Sequence, residues 1–194
     1  MKPELWYSVV VRDRHGKVLS RERRKSRSFL KQWNQLVYVQ MSHFDAPTGF
    51  AITTTAGASI PIISRATNFA MRAVEGDDDY GIRVGTGNTP VAIDDYALET
   101  PIAEGTGAGQ MQHLVCTVAD YVVSAPSCYF VVSRLIVNNS PAEITVREAA
   151  IYVQMERSNY TQVFGCATRD IFVTPQAVPI GGAITVDWTI QVTV

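Results

Sequence analysis

The residues best suited to chemistry in this chain are clustered acids, and they suggest two kinds of site. The triplet 77–79 and the pair Asp94-Asp95 offer the hard oxygen ligands that Ca²⁺ prefers, but the D-x-D-x-D-G loop pattern is missing. A glycosidase needs two carboxylates held about 5–10 Å apart. Asp94, Asp95, Glu99 and Glu104 permit that arrangement without indicating it. We therefore expect these acids to form a solvated loop or a docking surface for arginine.

Other catalytic signatures are weak. The three histidines are His15, His43 and His113, and none has a second His or Cys at metal-ligand spacing. Gly85-Thr86-Gly87 follows a predicted strand, but Pro90 stands where a dinucleotide-binding loop has its third glycine. There is no G-x-S-x-G motif. We predict no catalytic residue, cofactor or metal.

The cysteines and the apolar runs limit the class of protein. Cys116, Cys128 and Cys166 form neither a C-x-x-C pair nor an even set, so we expect reduced thiols that pack as small apolar side chains. The apolar stretches are short and interrupted, whereas a membrane span needs about 20 residues. The first residues show no secretion signal.

Charge is divided unevenly along the chain. Residues 1–31 contain ten Lys and Arg against three acids, a balance of +7; the rest contains seven Arg against fifteen acids, a balance of −8. A basic arm on an acidic body favours head-to-tail contact between like subunits. The predicted contact residues are Arg21, Arg23, Arg24, Lys25, Arg27, Asp77, Asp78 and Asp79. Deletion of residues 1–27 should then leave a folded monomer that fails to assemble.

Nucleic acid is the alternative ligand of the basic segment, and it is not favoured. The rest of the same chain is acidic, and no aromatic stacking platform accompanies the arginines in the sequence.

The N-terminal part is predicted to be an assembly arm, residues 1–44. Residues 5–12 read as a strand that turns at 13–16 into a second short strand at 17–20. Apolar residues at helical spacing then predict an amphipathic helix over 26–41, with Ser26 or Ser28 as its N-cap.

Residues 45–194 are predicted to be a β-sandwich with long loops at 45–80 and 103–111. A short strand is predicted within 81–90, and several strands follow one another between turn residues from residue 110 onward; the last, 184–194, alternates strictly between apolar and polar residues. The predicted fold class is mainly β: an antiparallel sandwich, jelly-roll or Ig-like, with an N-terminal hairpin and one helix.

Three stretches together resemble a family of uncharacterised bacteriophage virion structural proteins of the head, neck and tail. GIRVGTGNTPVAIDDYALETPIAEG (81–105) resembles the segment GxGxTPVxxxDYxLxxPIxxG, and ITVREAAIYV (144–153) resembles the strand ITVxEIGLY. RDIFVTPQAVPIGGAITVDWTIQVTV (169–194) resembles the family's Thr/Val-rich ending. The chain departs from the pattern at Ala149-Ala150, where a glycine is frequent, and at Trp188.

The resemblance implies a non-enzymatic subunit of a phage particle, from the neck, tail, baseplate or capsid surface. Its partners would be itself, in a homo-oligomer such as a ring, and other virion proteins. It would be assembled in the host cytoplasm into the virion. The alternative is a receptor- or carbohydrate-binding module of the virion, with a site on the loops 45–80 and 103–111. Trp6, Trp33 or Trp188 would then stack on sugar, although apolar periodicity favours core packing for Trp33 and Trp188.

Overall fold

The computed structural model describes residues 2–26 and 28–193, and the chain is mainly β over this range. The described residues form one helix, α1 (Lys31–Ser42), and eleven strands. The strands are β1 (Lys2–Arg12), β2 (Val18–Ser26), β3 (Phe50–Thr53), β4 (Ser59–Ile62), β5 (Gly81–Gly85), β6 (Gln112–Val118), β7 (Val122–Ser124), β8 (Ser127–Val137), β9 (Ile144–Glu156), β10 (Gln162–Val178) and β11 (Ala183–Thr193).

Two antiparallel sheets share one hydrophobic core. The larger sheet has the order β2-β1-β11-β8-β6, with β7 added to β8, and the smaller sheet has the order β10-β9-β5. One cluster of buried side chains draws on both sheets and on the helix. The predicted antiparallel sandwich with an N-terminal hairpin and one helix is confirmed.

The last strand shows how sequence pattern produces this core. Ile184, Val186 and Trp188 in β11 are fully buried, while the alternate residues Thr185 and Asp187 stay partly accessible on the other face. Burying a large apolar side chain stabilises the fold by about 1.5–3 kcal/mol. Alternation of this kind therefore orients the whole strand.

The N-terminal hairpin is part of the larger sheet. β1 pairs with β11 along its full length, from Lys2 opposite Thr193 to Arg12 opposite Ala183. The apolar residues of β1 that enter the core are Leu5, Tyr7, Val9 and Val11. The predicted boundary at residue 44 therefore separates strands that share one sheet, because the inward face of β1 completes the core beside β11.

Residues 21–26 of the basic segment lie in β2, which pairs with β1 and turns Glu22 and Ser26 inward. The predicted helix start at Ser26 is wrong: α1 begins at Lys31 and has Leu30 at its N-cap position, without a side-chain cap. The hydroxyls of Ser26 and Ser28 bond to each other at 2.9 Å instead. Exposed positions of a strand thus carry the arginines.

The two predicted long loops differ. Residues 45–80 contain the short hairpin of β3 and β4, so that segment is not wholly irregular. Residues 103–111 contain no named strand and are closed by a bridge between Glu104 and Met111. Helix α1 packs on β10 and β3, which places it over the smaller sheet and the 50–62 hairpin.

Candidate interaction surface

The predicted basic contact residues lie on an exposed strand. Arg21, Arg23 and Lys25 alternate along β2 opposite Val10, Ser8 and Trp6 of β1, so they share the solvent side of the larger sheet. The Arg23 guanidinium carbon lies 5.3 Å from the centre of a Trp6 ring, and the Lys25 ammonium lies 5.9 Å from it. Sequence reasoning missed this aromatic platform, because Trp6 is distant in sequence from the arginines. We call Trp6, Arg21, Arg23 and Lys25 the basic face.

The remaining basic contact residues are placed differently. Arg24 is on the opposite side of β2, where its Nε lies 3.6 Å from Oε1 of Glu22. Arg27 lies outside the described residues. Within the basic face, Lys25 forms an ion pair with Glu4, whereas Arg21 has neither an ion pair nor a side-chain hydrogen bond to the described residues.

Two acids of the triplet 77–79 already have partners within the molecule. Asp78 Oδ2 lies 3.2 Å from Arg83 Nη2 and also accepts the Glu104 amide at 2.9 Å. Asp77 Oδ1 accepts the Asp79 amide at 2.9 Å. Burial, followed by repulsion from Asp77 and Asp78, raises the pKa of Asp79. Within the described chain, no ion pair joins the triplet to the basic face.

A buried carboxylate organises the segment that carries the first virion-like motif. Glu148 in β9 is fully buried. Its Oε1 accepts the amides of Gly87 at 3.1 Å and Thr100 at 2.9 Å, and its Oε2 accepts the amide of Glu99 at 3.2 Å. One side chain thereby ties together the two ends of the 86–100 loop.

Arg169 in β10 completes this buried network. Its Nε donates to Glu148 at 2.8 Å, its Nη1 to Asp95 at 2.7 Å and its Nη2 to the Thr89 carbonyl at 3.1 Å. Burial alone would lower the pKa of Arg169, but its hydrogen bonds to Asp95 and Glu148 outweigh that effect and raise it. The guanidinium therefore stays charged and holds the middle of the loop.

Two more carboxylates fix the same loop from within. Glu99 Oε2 accepts the amides of Asn88 at 2.6 Å and Thr89 at 2.7 Å. A hydrogen bond from the Thr89 side chain, together with these two amide bonds, keeps the pKa of Glu99 below its usual value. Asp95 Oδ2 accepts the Ala92 amide at 3.0 Å. Asp95 and Glu99, which permitted a glycosidase pair in the sequence, instead bind backbone N–H groups here.

The glycines of the motif are explained by close approach. A Cβ on Gly85 would lie 2.5 Å from Oε1 of Glu148 and 2.7 Å from the Thr100 carbonyl oxygen. A Cβ on Gly87 would collide with the same carboxylate. Glycine at these two positions therefore allows the loop backbone to reach Glu148.

The network holds apolar side chains out in solvent. In the segment 90–96, which we call the ridge, Val91 is 36%, Ile93 66% and Tyr96 44% exposed. A groove of about 510 Å³ runs beside the ridge, and Phe29 and Ile171 contribute to its other wall. A rigid loop that exposes large apolar residues is typical of an interaction surface.

Asp170 lies in the groove and is only 8% exposed. Burial raises its pKa to about 6, and the hydroxyls of Ser26 and Ser28 and the Trp188 indole partly oppose the shift. The groove thus combines apolar walls with a carboxyl group that titrates above its usual range.

A second buried arginine supports the neighbouring loop. Arg134 in β8 donates to five backbone carbonyls, of which four belong to residues 74–82. Nearby, His113 is fully buried with its Nδ1 3.0 Å from Glu104 Oε2, and burial followed by the charges of Arg83 and Arg134 lowers its pKa to about 3. Arg134 therefore holds the backbone of residues 74–82 in place.

The three tryptophans that the carbohydrate-binding alternative names lie in different environments. Trp188 is fully buried, and Trp33 packs between Phe29 and Phe69. Trp6 lies beneath the basic side chains of β2.

Across the described residues, no group of three or more His, Cys, Asp or Glu side chains is arranged to hold a metal ion. α1 is neither long nor apolar enough to cross a membrane.

Sequence reasoning missed Glu148, Arg169 and Asp170 as organising residues. One signal was present: Glu148 occupies an inward position in the apolar alternation of Ile144, Val146, Ala150 and Tyr152.

Comparisons with protein-family models, curated proteins and solved structures found no match to this chain.

Proposed function

We propose that this protein is a non-enzymatic structural subunit of a bacteriophage particle, in the neck, tail, baseplate or capsid surface. It assembles with copies of itself and docks other virion proteins. The proposal starts from the resemblance of the segments 81–105, 144–153 and 169–194 to virion structural proteins.

One structural observation carries the proposal: the ridge exposes apolar residues on a loop that buried charges hold rigid. Ile93 is 66% exposed, although the loop around it is fixed through Glu148 and Arg169. Apolar surface held in a defined shape favours association, because a partner can bury it without first ordering the loop. This supports an assembling subunit.

The hydrogen bonds of the buried Glu148 and the exposed Glu99 support a structural role. Glu148 binds three backbone amides and a guanidinium, and Glu99 binds two backbone amides. Their acceptor oxygens hold the loop that presents the ridge. These carboxylates therefore serve to fix the conformation of the loop.

The test is multi-angle light scattering of the purified protein over a range of concentrations. We expect a discrete oligomer, and Ile93→Ser should shift it towards monomer. Val123→Ser is the matched control, because Val123 is 71% exposed at a site outside the ridge. A wild-type protein that stays monomeric at every concentration would contradict self-assembly.

A further inference from the structure

Acids lie within the ridge and beside it. Asp94 is exposed and has neither an ion pair nor a side-chain hydrogen bond within the described part of the chain. Asp95 and Glu99 lie on the same loop, and Asp170 lies in the adjoining groove. A second cavity is lined by Thr89, residues 94–99 and Arg169. Among the described residues, Arg169 is the one basic side chain that lines this cavity or the groove, and it is engaged by Glu148 and Asp95. The ridge surface therefore presents apolar side chains together with the carboxylates of Asp94, Asp95 and Glu99, beside Lys31, whose amide donates to the Ile93 carbonyl at 3.0 Å.

The basic face has the complementary character. Arg21, Arg23 and Lys25 stand on one side of β2, spaced by about 6–7 Å because alternate residues of a strand share a face. Trp6 provides an apolar ring among these cations. Arginine suits contact with carboxylates, since its planar guanidinium forms paired hydrogen bonds.

The two surfaces belong to different layers of the sandwich. The basic face is on the solvent side of the larger sheet, whereas the ridge is anchored to β9 and β10 of the smaller sheet through Glu148 and Arg169. No ion pair connects the two surfaces within the described residues of one molecule. Each surface is thus open to a second molecule.

We propose that the basic face of one copy docks on the ridge of the next. This inference rests on the self-assembly proposed above and names its contact. It replaces the acid triplet 77–79 as the acceptor, because Asp78 is occupied by Arg83. A contact between two different surfaces is head-to-tail, so it generates a ring when the rotation closes and a filament when it does not.

The experiment reverses one charge on each surface. Arg21→Glu places an acid against Asp94, and Asp94→Arg places two cations together, so each variant alone should weaken self-association roughly tenfold or more. Both positions are exposed, and circular dichroism would verify folding. An equimolar mixture of the two variants should regain assembly, because every junction between unlike copies again pairs opposite charges. Lys17→Glu is the control, since this exposed turn residue lies outside both surfaces.

The outcomes separate this contact from the proposed function. Loss in both single variants and recovery in the mixture support the contact. Unchanged oligomers in both single variants overturn it and leave self-assembly standing, whereas a monomeric wild type overturns both. A labelled oligothymidine strand provides the remaining arm. Binding that Arg21→Glu abolishes, with self-association unaffected, would make the basic face a nucleic-acid surface and overturn the inference.

Discussion

Glu148 occupies a position where the alternation of β9 would otherwise place an apolar side chain. A buried carboxylate is costly unless it is fully bonded, and here three amides and Arg169 satisfy it. Its loss would leave the Arg169 charge without one of its partners. The same residue therefore determines both the stability of the fold and the shape of the ridge.

We expect Glu148→Gln to destabilise the protein by about 3 kcal/mol, because breaking one side of a buried ion pair typically costs this much. Urea unfolding followed by circular dichroism measures the change. Glu143→Gln is the matched control: Glu143 is exposed, so its change should stay within about 0.5 kcal/mol. Equal effects of the two substitutions would show that the network does not contribute to stability.

Asp170 predicts a pH dependence with a defined sign. Its pKa of about 6 in the folded protein exceeds the ordinary 3.8, so the folded state retains a proton that the unfolded state loses. Stability from this group therefore falls as pH rises from about 4 to about 6, by up to about 3 kcal/mol. Asp170→Asn should be more stable than wild type at pH 8, and the gain should vanish near pH 3.5.

Urea denaturation at a series of pH values measures this gain. Asp120→Asn is the control, because Asp120 is exposed and its replacement should leave the pH profile of stability unchanged. A gain for Asp170→Asn that is equal at pH 3.5 and pH 8 would show that the buried carboxyl does not titrate as described.

At the scale of elements, the N-terminal hairpin is a structural necessity. Deletion of residues 1–27 removes two strands of the larger sheet and uncovers β11 along its whole length. It also removes Leu5, Tyr7, Val9 and Val11 from the core. We expect an unfolded or insoluble product, in contrast to the folded monomer predicted when this segment is treated as an arm.

The matched control keeps the strand and removes its charge. A variant with serine at positions 21, 23 and 25 should remain soluble and folded, because these side chains are exposed on β2. Circular dichroism and soluble yield compare the two proteins. A deletion product with the circular dichroism spectrum and soluble yield of the wild type would refute the structural role of β1.

At the scale of the whole molecule, two connecting segments differ in how many of their backbone amides are bonded to buried groups, and we expect them to differ in rigidity. Within residues 86–102 many amides have acceptors, including the carboxylates of Glu148, Glu99 and Asp95. Leu98 donates its amide to the Tyr152 hydroxyl at 2.7 Å. In contrast, residues 119–126 include only the short strand β7, which pairs with the start of β8, and are all exposed.

We therefore expect hydrogen–deuterium exchange in peptides covering 86–102 to be much slower than in peptides covering 119–126, although both are loop-rich. Mass spectrometry of peptic fragments measures this. Glu148→Gln should speed exchange selectively in 86–102. Equally fast exchange of both segments in the wild type would show that the buried charges do not order the ridge.

The alternation of apolar and polar residues along the chain was enough to predict most of the strands. The strict alternation of 184–194 predicted the strand observed as β11 (Ala183–Thr193), and turn residues between apolar runs predicted an antiparallel sandwich. Local pattern misplaced the start of α1, since helical spacing of apolar residues extends back past Leu30 while pairing with β1 draws residues 18–26 into a strand.

Only the tertiary structure decided which charges meet. Arg169 is separated from Glu148 by 21 residues and from Asp95 by 74, and no local pattern joins them. Trp6 likewise reaches Arg23 and Lys25 through strand pairing. The sequence by itself determined the strand content and the inward faces, because side-chain alternation is a property of neighbouring residues. The ridge, the groove and the basic face depend on strand order, which long-range packing selects.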